Sequence, residues 1–347
     1  MDEIDLLRTL VRDVPGPDAR ARAAARTALL AHADAAAKGA PWTAAGRSLG
    51  RRGFRITAAV AALATLALIG SGLLSLGRGP DPAAAAALNG AADVAAAQPA
   101  GSVLGYRHTK STGAHLMGVG GGPDRPNGVW ALVPVEREIW IKADGSGRLV
   151  ESRGEPIWFG PADKAAWIAS GLELPGLSHS DTTFGPAPSG VAPGTPQAWP
   201  GSLYFEDVDA LPTDVAALRR IIDERAAAGG GSTDYERFTI VGDLLRETVG
   251  TPHLRASLYR VAAGLSGVEL IGSVTDRAGR IGTAVAMTIN GSSRGRERRT
   301  LIYDPGTAVL LAEEDVLLDK VDWVDADPPL VIGYTTYLVS DIVPMIP

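Results

Sequence analysis

The feature that most constrains this chain is an apolar run from Ile56 to Leu76 that contains no charged residue. A helix of this length, at about 1.5 Å per residue, covers roughly 30 Å, which is the thickness of the hydrocarbon core of a bilayer. Arginines crowd the N-terminal side of the run, at Arg47, Arg51, Arg52 and Arg55. Because positive flanks stay inside, the sequence predicts that the N-terminus is cytoplasmic.

This topology divides the chain into three parts. We expect a cytoplasmic segment that is helical or disordered (1–55), a transmembrane helix (56–76) and an extracytoplasmic domain (77–347). The predicted localisation is therefore the cell membrane, crossed once, with the C-terminus outside.

A second interpretation of the same run stays open. The tetrapeptide RRGF, Arg51 to Phe54, is similar to a twin-arginine export motif, and Ala-rich sequence follows it. Under this alternative the run is a cleaved signal. A leader of more than about fifty residues is long for a signal, so the retained anchor is favoured.

Charge is distributed unevenly along the chain. Residues 1–55 hold ten Arg or Lys and six Asp or Glu, which is a net charge of +4. Because the net charge of the whole chain is −6, the remaining residues have a net charge of −10. An acidic domain without a basic stripe argues against a nucleic-acid partner. The chain has no cysteine, which excludes disulfides, thiolate metal sites and a cysteine nucleophile.

The N-terminal segment predicts two short helices broken at Pro15 to Pro17. In the first, Ile4, Leu7 and Val11 fall at helical spacing. So few large apolar side chains cannot form a core of their own. The segment therefore either folds against a partner or remains a solvated tail. His32 is its single histidine, so no zinc site is expected.

Residues 77–347 predict fold class α+β, an antiparallel sheet with helices packed on it. A helix is expected from about Ala83 to Ala97, then strands around a Ser-Thr-Gly turn at Ser111 to Gly113, then a hairpin turning at Asp144 to Gly147. A long flexible surface loop is expected at about 171–200. Three helices then precede five strands joined by short turns, which requires antiparallel neighbours.

No motif in the sequence predicts catalysis. GSSRG around Ser293 fits the nucleophile-elbow pattern, but strand-like sequence follows it where an elbow needs a helix. Asp322, Asp325 and Asp327 lack the glycine and distal glutamate of a calcium loop. Glu313 and Glu314 are neighbours, so they face opposite sides of a strand. We expect no catalytic, cofactor-binding or metal-binding residue, no cofactor, and no enzymatic activity.

Several stretches carry a resemblance that covers nearly the whole chain: LLRTLVRDVPGPD, REIWIKADGSGRLVE, LPTD, LLRETVGTPHLRASLYRVAAGLSGV, TDRAGRIG and IYDPGTAVLL. With the apolar run, they resemble an uncharacterised family of actinobacterial single-pass membrane proteins. The layout is similar to that of membrane-bound anti-sigma regulators, and the outer part is similar to the half-barrels of lipid carriers and sigma regulators in bacterial envelopes.

The resemblance implies two functions. In the first, the outer domain senses or binds something outside the membrane, and the N-terminal segment holds a cytoplasmic sigma factor. In the alternative, the chain is a membrane-tethered carrier or binding protein for lipid or another apolar ligand. The N-terminal segment lacks the Cys and His of zinc-containing anti-sigma domains, which counts against sigma-factor binding.

Overall fold

The computed structural model describes residues 79–101, 105–119, 129–159, 161–169, 178–186, 197–199, 203–205, 208–228, 233–292, 295–320 and 328–347. The predicted N-terminal helices and the run from Ile56 to Leu76 lie outside these ranges. Within them, no helix combines the length and apolar character needed to cross a membrane.

The predicted α+β class is wrong for the structure described. One antiparallel sheet of ten strands dominates it, with a few helices and a separate two-stranded sheet. The sequence predicted too small a share of sheet, because some strands are too polar to show an alternating apolar pattern. Their residues were predicted to form turns and loops instead.

The strands follow the chain as two meanders. They are β1 Tyr106–Val119, β2 Val129–Ile141, β3 Gly147–Arg153, β4 Ile157–Trp158, β5 Ser178–Phe184, β6 Gln197–Trp199, β7 Leu203–Phe205, β8 Val268–Thr275, β9 Ile281–Ser292, β10 Gly295–Tyr303, β11 Leu310–Leu317 and β12 Leu330–Val343. Their order in the large sheet is β5-β3-β2-β1-β12-β11-β10-β9-β8, with β4 beside β2, while β6 and β7 pair separately. The pairing of β1 with β12 joins the two meanders.

The helices are α1 Pro82–Ala96, α2 Pro161–Ala169, α3 Val215–Ala228, α4 Asp234–Leu245 and α5 Pro252–Ala263, with a 3₁₀ turn at Val208–Ala210. Helices α1, α3, α4 and α5 form one apolar core with the sheet, to which β9 and β10 contribute Val285, Met287, Leu301 and Tyr303. These strand residues define the helix-facing side of the sheet.

The helix predictions are confirmed in position. Leu218 and Ile222 of α3 and Phe238 and Val241 of α4 are buried in the core, as their spacing predicts. The cap of α3 differs by one residue from the prediction, because the Asp214 carboxylate, rather than the side chain of Thr213, accepts the Ala217 amide at 2.8 Å.

The predicted turn at Ser111 to Gly113 is wrong. Strand β1 runs unbroken through it and pairs with β2 on one side and β12 on the other. A Cβ added at Gly113 would lie 2.3 Å from the Tyr334 carbonyl oxygen of β12. Gly113 therefore permits the close approach of two strands, and it does not mark a turn.

The predicted loop at about 171–200 is wrong over part of its length. Residues Ser178–Phe184 form β5, which pairs along its whole length with β3. Of its seven side chains only Phe184 is buried, where it packs with Ile141 and Leu149. A strand at the sheet edge with one buried side chain has no periodic apolar signal, which is why the sequence predicted a loop.

The predicted hairpin is confirmed as β2 and β3, with the Asp144 carboxylate accepting the Ser146 amide in the turn at 2.9 Å. Ile139 and Ile141 share the helix-facing side, as predicted. The opposite side is not uniformly wet, because Trp140 is 4% exposed there and stacks on the ring of His108.

Candidate functional site

The candidate site is a group of charged side chains and one tyrosine between the last turn of α4 and the sheet. We call it the charged seam, and it consists of Asp243, Arg246, Arg299, Glu313, Asp315 and Tyr337. The strand members share the helix-facing side because the register pairs Arg299 with Asp315 and Leu301 with Glu313. On this side of the sheet, the apolar core that contains Leu301 therefore borders directly on the charged residues Arg299 and Glu313.

Glu313 is the centre of the seam. Its carboxylate accepts the Tyr337 hydroxyl at 2.6 Å, is bonded to Arg299, and lies 3.5 Å from Nε of Arg246. Burial alone would raise the pKa of Glu313, but the charges of Arg246 and Arg299 outweigh it and hold this pKa below its usual value. Glu313 is therefore ionised and buried, between two guanidinium groups.

Helix α4 supplies the other half of the seam. Its start is fixed by a capping box, in which Thr233 and Glu236 bond each other's backbone amides. Its C-cap is Arg246, which pairs with Asp243 one turn earlier on the same helix. Asp243 also lies 3.3 Å from Arg299 of β10. The capped helix thus presents one acid and one base to the sheet.

The two aspartates of the seam reach solvent, whereas Arg299 and Glu313 are largely buried. The side chains of Asp243 and Asp315 are 50% and 36% exposed, yet desolvation by surrounding protein is the main influence that raises the pKa of each. Asp243 and Asp315 therefore lie at the solvent-exposed edge of the seam, with protein packed against part of each carboxylate.

A gap at Gly333 separates two titratable members of this surface. A Cβ added there would lie 3.7 Å from Oδ2 of Asp315 and 3.9 Å from Nδ1 of His115 on β1. Burial, followed by the charge of Arg137, lowers the pKa of His115, which favours the neutral imidazole. An acid and a neutral imidazole thus face each other across one strand.

The charged surface continues onto β2 and β3. Arg137 donates from Nε to Oε2 of Glu151 at 2.9 Å, and Arg153 donates from Nε to its Oε1 at 3.1 Å. Burial would raise the pKa of Glu151, but the two arginines lower it overall. Acids and bases alternate along this surface, so it suits a polar ligand or peptide that carries both signs of charge better than a simple anion or cation.

The pH dependence of stability offers a test of this geometry. The pKa of Asp315 is raised to about 6, since burial disfavours its charge more than Arg299 favours it. The folded state binds more protons than the unfolded state between about pH 4 and pH 6, so the contribution of Asp315 to stability is present below pH 4 and is lost as the pH rises through 6. We expect Asp315→Asn to raise the urea midpoint at pH 8 and to change it little at pH 4.

The matched control for that measurement is Asp319→Asn. Its hydrogen bond from Arg296 lowers the pKa of Asp319, so its ionised form is favoured and its contribution is present above pH 4. This variant should therefore lower the midpoint at pH 8. If Asp315→Asn also lowered the midpoint at pH 8, the assigned desolvation of Asp315 would be wrong.

A second polar cluster lies on the opposite side of the sheet. His108 Nδ1 lies 2.9 Å from Oδ1 of Asp341, and its Nε2 lies 2.9 Å from Oε1 of Glu138. The imidazole ring also stacks on Trp140, with the two ring centroids 5.0 Å apart. The cluster ties β12, β1 and β2 together, which is a structural use of a histidine.

The residues that the sequence offered as catalytic or metal-binding candidates do not form a common site among the described residues. Ser293 and the aspartates 322, 325 and 327 lie outside the described residues, and Gly291 and Gly295 on either side of Ser293 belong to two strands, β9 and β10. Glu313 and Glu314 face opposite sides, as expected, since Glu314 bonds Arg277 instead. Across the described ranges, no three His, Asp or Glu residues are grouped to hold a metal.

The seam was not predicted from the sequence. Its members are spread over residues 243–337, and only two pairs are close in sequence, Asp243 with Arg246 and Glu313 with Asp315. A charged residue on the predicted buried face of a strand was the available signal, because Arg299 stands two residues from Leu301, which faces the core.

No protein-family model, curated protein or solved structure matches the chain.

Proposed function

We propose that the chain is a membrane-anchored envelope protein whose sheet domain binds a polar ligand or protein segment outside the membrane, and whose N-terminal segment engages a cytoplasmic partner of the sigma-factor type. The observation that carries the outer role is the charged seam, with the ion pairs of β2 and β3 that continue it. Asp243 and Asp315 are open to solvent, while the buried pair of Arg299 and Glu313 holds the seam in place, and fixed charges of both signs suit selective recognition.

The proposed anchoring rests on the sequence and on where the folded domain begins. Helix α1 starts at Pro82, six residues after the apolar run ends at Leu76, and Asp81 caps it by accepting the amides of Ala83 and Ala84. So short a connection would hold the sheet domain at the outer membrane surface. The arginines before Ile56 favour a cytoplasmic N-terminus.

The charged seam also favours this function over the carrier alternative. An apolar ligand would bind on the helix-facing side of the sheet, between helices and strands. Around the seam, the described residues on this side are either packed in the helix core, as Leu301 is, or ionised, as Arg299 and Glu313 are. The apolar residues farther along this side, such as Ile141, pack with one another in a small separate cluster. Holding a lipid against these ions would desolvate them at a cost of several kcal/mol, by general estimates.

Membrane topology is the first test. In intact cells of the source organism, an external protease should digest the sheet domain and spare an N-terminal tag, and alkaline carbonate should leave the full-length chain in the membrane fraction. Arg51→Lys with Arg52→Lys keeps the positive flank but disrupts a twin-arginine motif, so this double variant should show the same topology. A mature chain starting beyond Leu76, or one found in the cytosol, would overturn the anchor.

Partner capture tests the second half of the proposal. The full chain, purified in detergent after cross-linking in cells, should carry a sigma factor, and Leu7→Asp should reduce its recovery at least about tenfold because it places a charge on the predicted apolar stripe. Asp5→Asn, off that stripe, is the matched control. Equal recovery of the sigma factor with Leu7→Asp, or a lipid copurifying with the sheet domain in its place, would favour the carrier.

A further inference from the structure

Arg255 of α5 is a buried charge, 7% exposed, held by neutral groups. Its Nε donates to the Thr248 hydroxyl at 3.2 Å, Nη2 donates to the Thr248 carbonyl at 2.9 Å, and Nη1 donates to the Thr307 carbonyl at 3.3 Å. Among the described residues, no carboxylate lies within ion-pair distance of this guanidinium, in contrast to Arg246 and Arg299 in the charged seam.

The lack of a counter-charge has an energetic consequence. A buried ion without an opposite charge bears its desolvation cost alone, whereas a paired one recovers much of it. Burial accordingly lowers the pKa of Arg255, and Tyr259 only partly opposes this, whereas the nearby carboxylates raise the pKa of Arg299. The Thr248 carbonyl, just beyond α4, offers a helix-end dipole, which offsets only part of a full charge.

A small cavity adjoins this guanidinium. Polar residues that line it are Arg246, Thr248, Arg255, Tyr337 and Ser340, and the space is about 10 Å³. That is the room that one water molecule or one monatomic ion needs, and it is too small for phosphate or sulfate.

Donors remain for a ligand at this place. A guanidinium has five N–H groups, and the three bonds above leave two on Arg255. Ser340 adds a hydroxyl to the lining, whereas the Tyr337 proton is already given to Glu313. A cationic wall with spare donors and room for one atom matches a halide ion.

We propose that this cavity is a binding site for a small monatomic anion, chloride under ordinary conditions, which neutralises Arg255. Bound there, the ion contacts the turn between α4 and α5 and the strand β12, so it ties the end of α4 to the sheet. The site does not depend on the membrane anchor or on a sigma factor.

Thermal unfolding of the detergent-purified full chain tests the site. Sodium chloride and sodium bromide should raise the Tm saturably, by on the order of 5 °C at a roughly hundredfold excess over the Kd, relative to sodium gluconate at equal ionic strength. Gluconate is too large for the cavity, so it isolates general salt effects. Equal Tm values in chloride and gluconate would overturn the proposal.

Variants locate the effect. Arg255→Gln removes the charge, and Ser340→Val fills the cavity without touching the Arg255 hydrogen bonds; each should abolish the chloride-specific shift. Arg260→Gln, on the exposed side of the same helix, where Arg260 bonds Asp93, should retain it. If Arg255→Gln does not fold, Ser340→Val decides alone, and a full chloride shift in that variant would exclude this cavity as the site.

Discussion

Replacing Glu313 with glutamine should lower the free energy of unfolding by about 3 kcal/mol, because it leaves the buried Arg299, and the partly exposed Arg246 beside it, facing a neutral amide. The Tyr337 hydroxyl would keep an acceptor of lower strength. Urea unfolding of the full chain at pH 7, followed by tryptophan fluorescence and circular dichroism, measures the change.

The adjacent residue gives a matched control. Glu314→Gln removes the same charge from the same strand, but Glu314 points to the opposite side and pairs with the half-exposed Arg277. An ion pair of that kind contributes about 1 kcal/mol or less. Equal losses for Glu313→Gln and Glu314→Gln would mean that the seam has no special role in holding α4 to the sheet.

Gly113→Ala should destabilise the fold by about 3 kcal/mol, at the upper end of what overpacking costs. The added methyl would meet the Tyr334 carbonyl at 2.3 Å and the Thr335 Cα at 3.2 Å, and both belong to backbone that cannot move without opening the β1–β12 pairing. This pairing joins the two meanders, so the loss should appear in global unfolding and not only at a sheet edge.

Gly90→Ala is the control for that experiment. Gly90 lies in α1 with no atom within 4 Å of an added Cβ, so the same substitution should raise stability by about 0.5–1 kcal/mol through helix propensity. A neutral Gly113→Ala would show that β1 and β12 approach less closely than the structure has them.

The two halves of the candidate site were unequally visible in the sequence. Spacing predicted α4 and the strands β10, β11 and β12, and it also placed Glu313 and Glu314 on opposite faces, as the structure confirms. It did not place Arg299 beside Glu313, or Arg246 above both, because those contacts join residues that are 14 and 67 positions from Glu313 and depend on how the helix lies across the sheet.

The same difference between local spacing and long-range contacts explains where the predicted fold was wrong. Local patterns are dependable where one face is apolar, as in α3 and α4, because the pattern itself records which face is buried. Local patterns fail for polar stretches such as β5 and the middle of β1. These residues form strands because β3 and β12 supply hydrogen-bonding partners for their backbones. Hydrogen bonding to a neighbouring strand leaves no trace in the order of side chains.

The sequence by itself determined the basic segment, the apolar run and the acidic domain after it, as well as the helices and the C-terminal strands, since charge, hydropathy and periodicity are properties of consecutive residues. Only the tertiary structure decided that β1 joins two meanders into one sheet, that four charges from α4 and two strands meet at Glu313, and that Arg255 is buried beside a cavity without a carboxylate. Each of these depends on the distance between residues far apart in the chain, and that distance is set by packing.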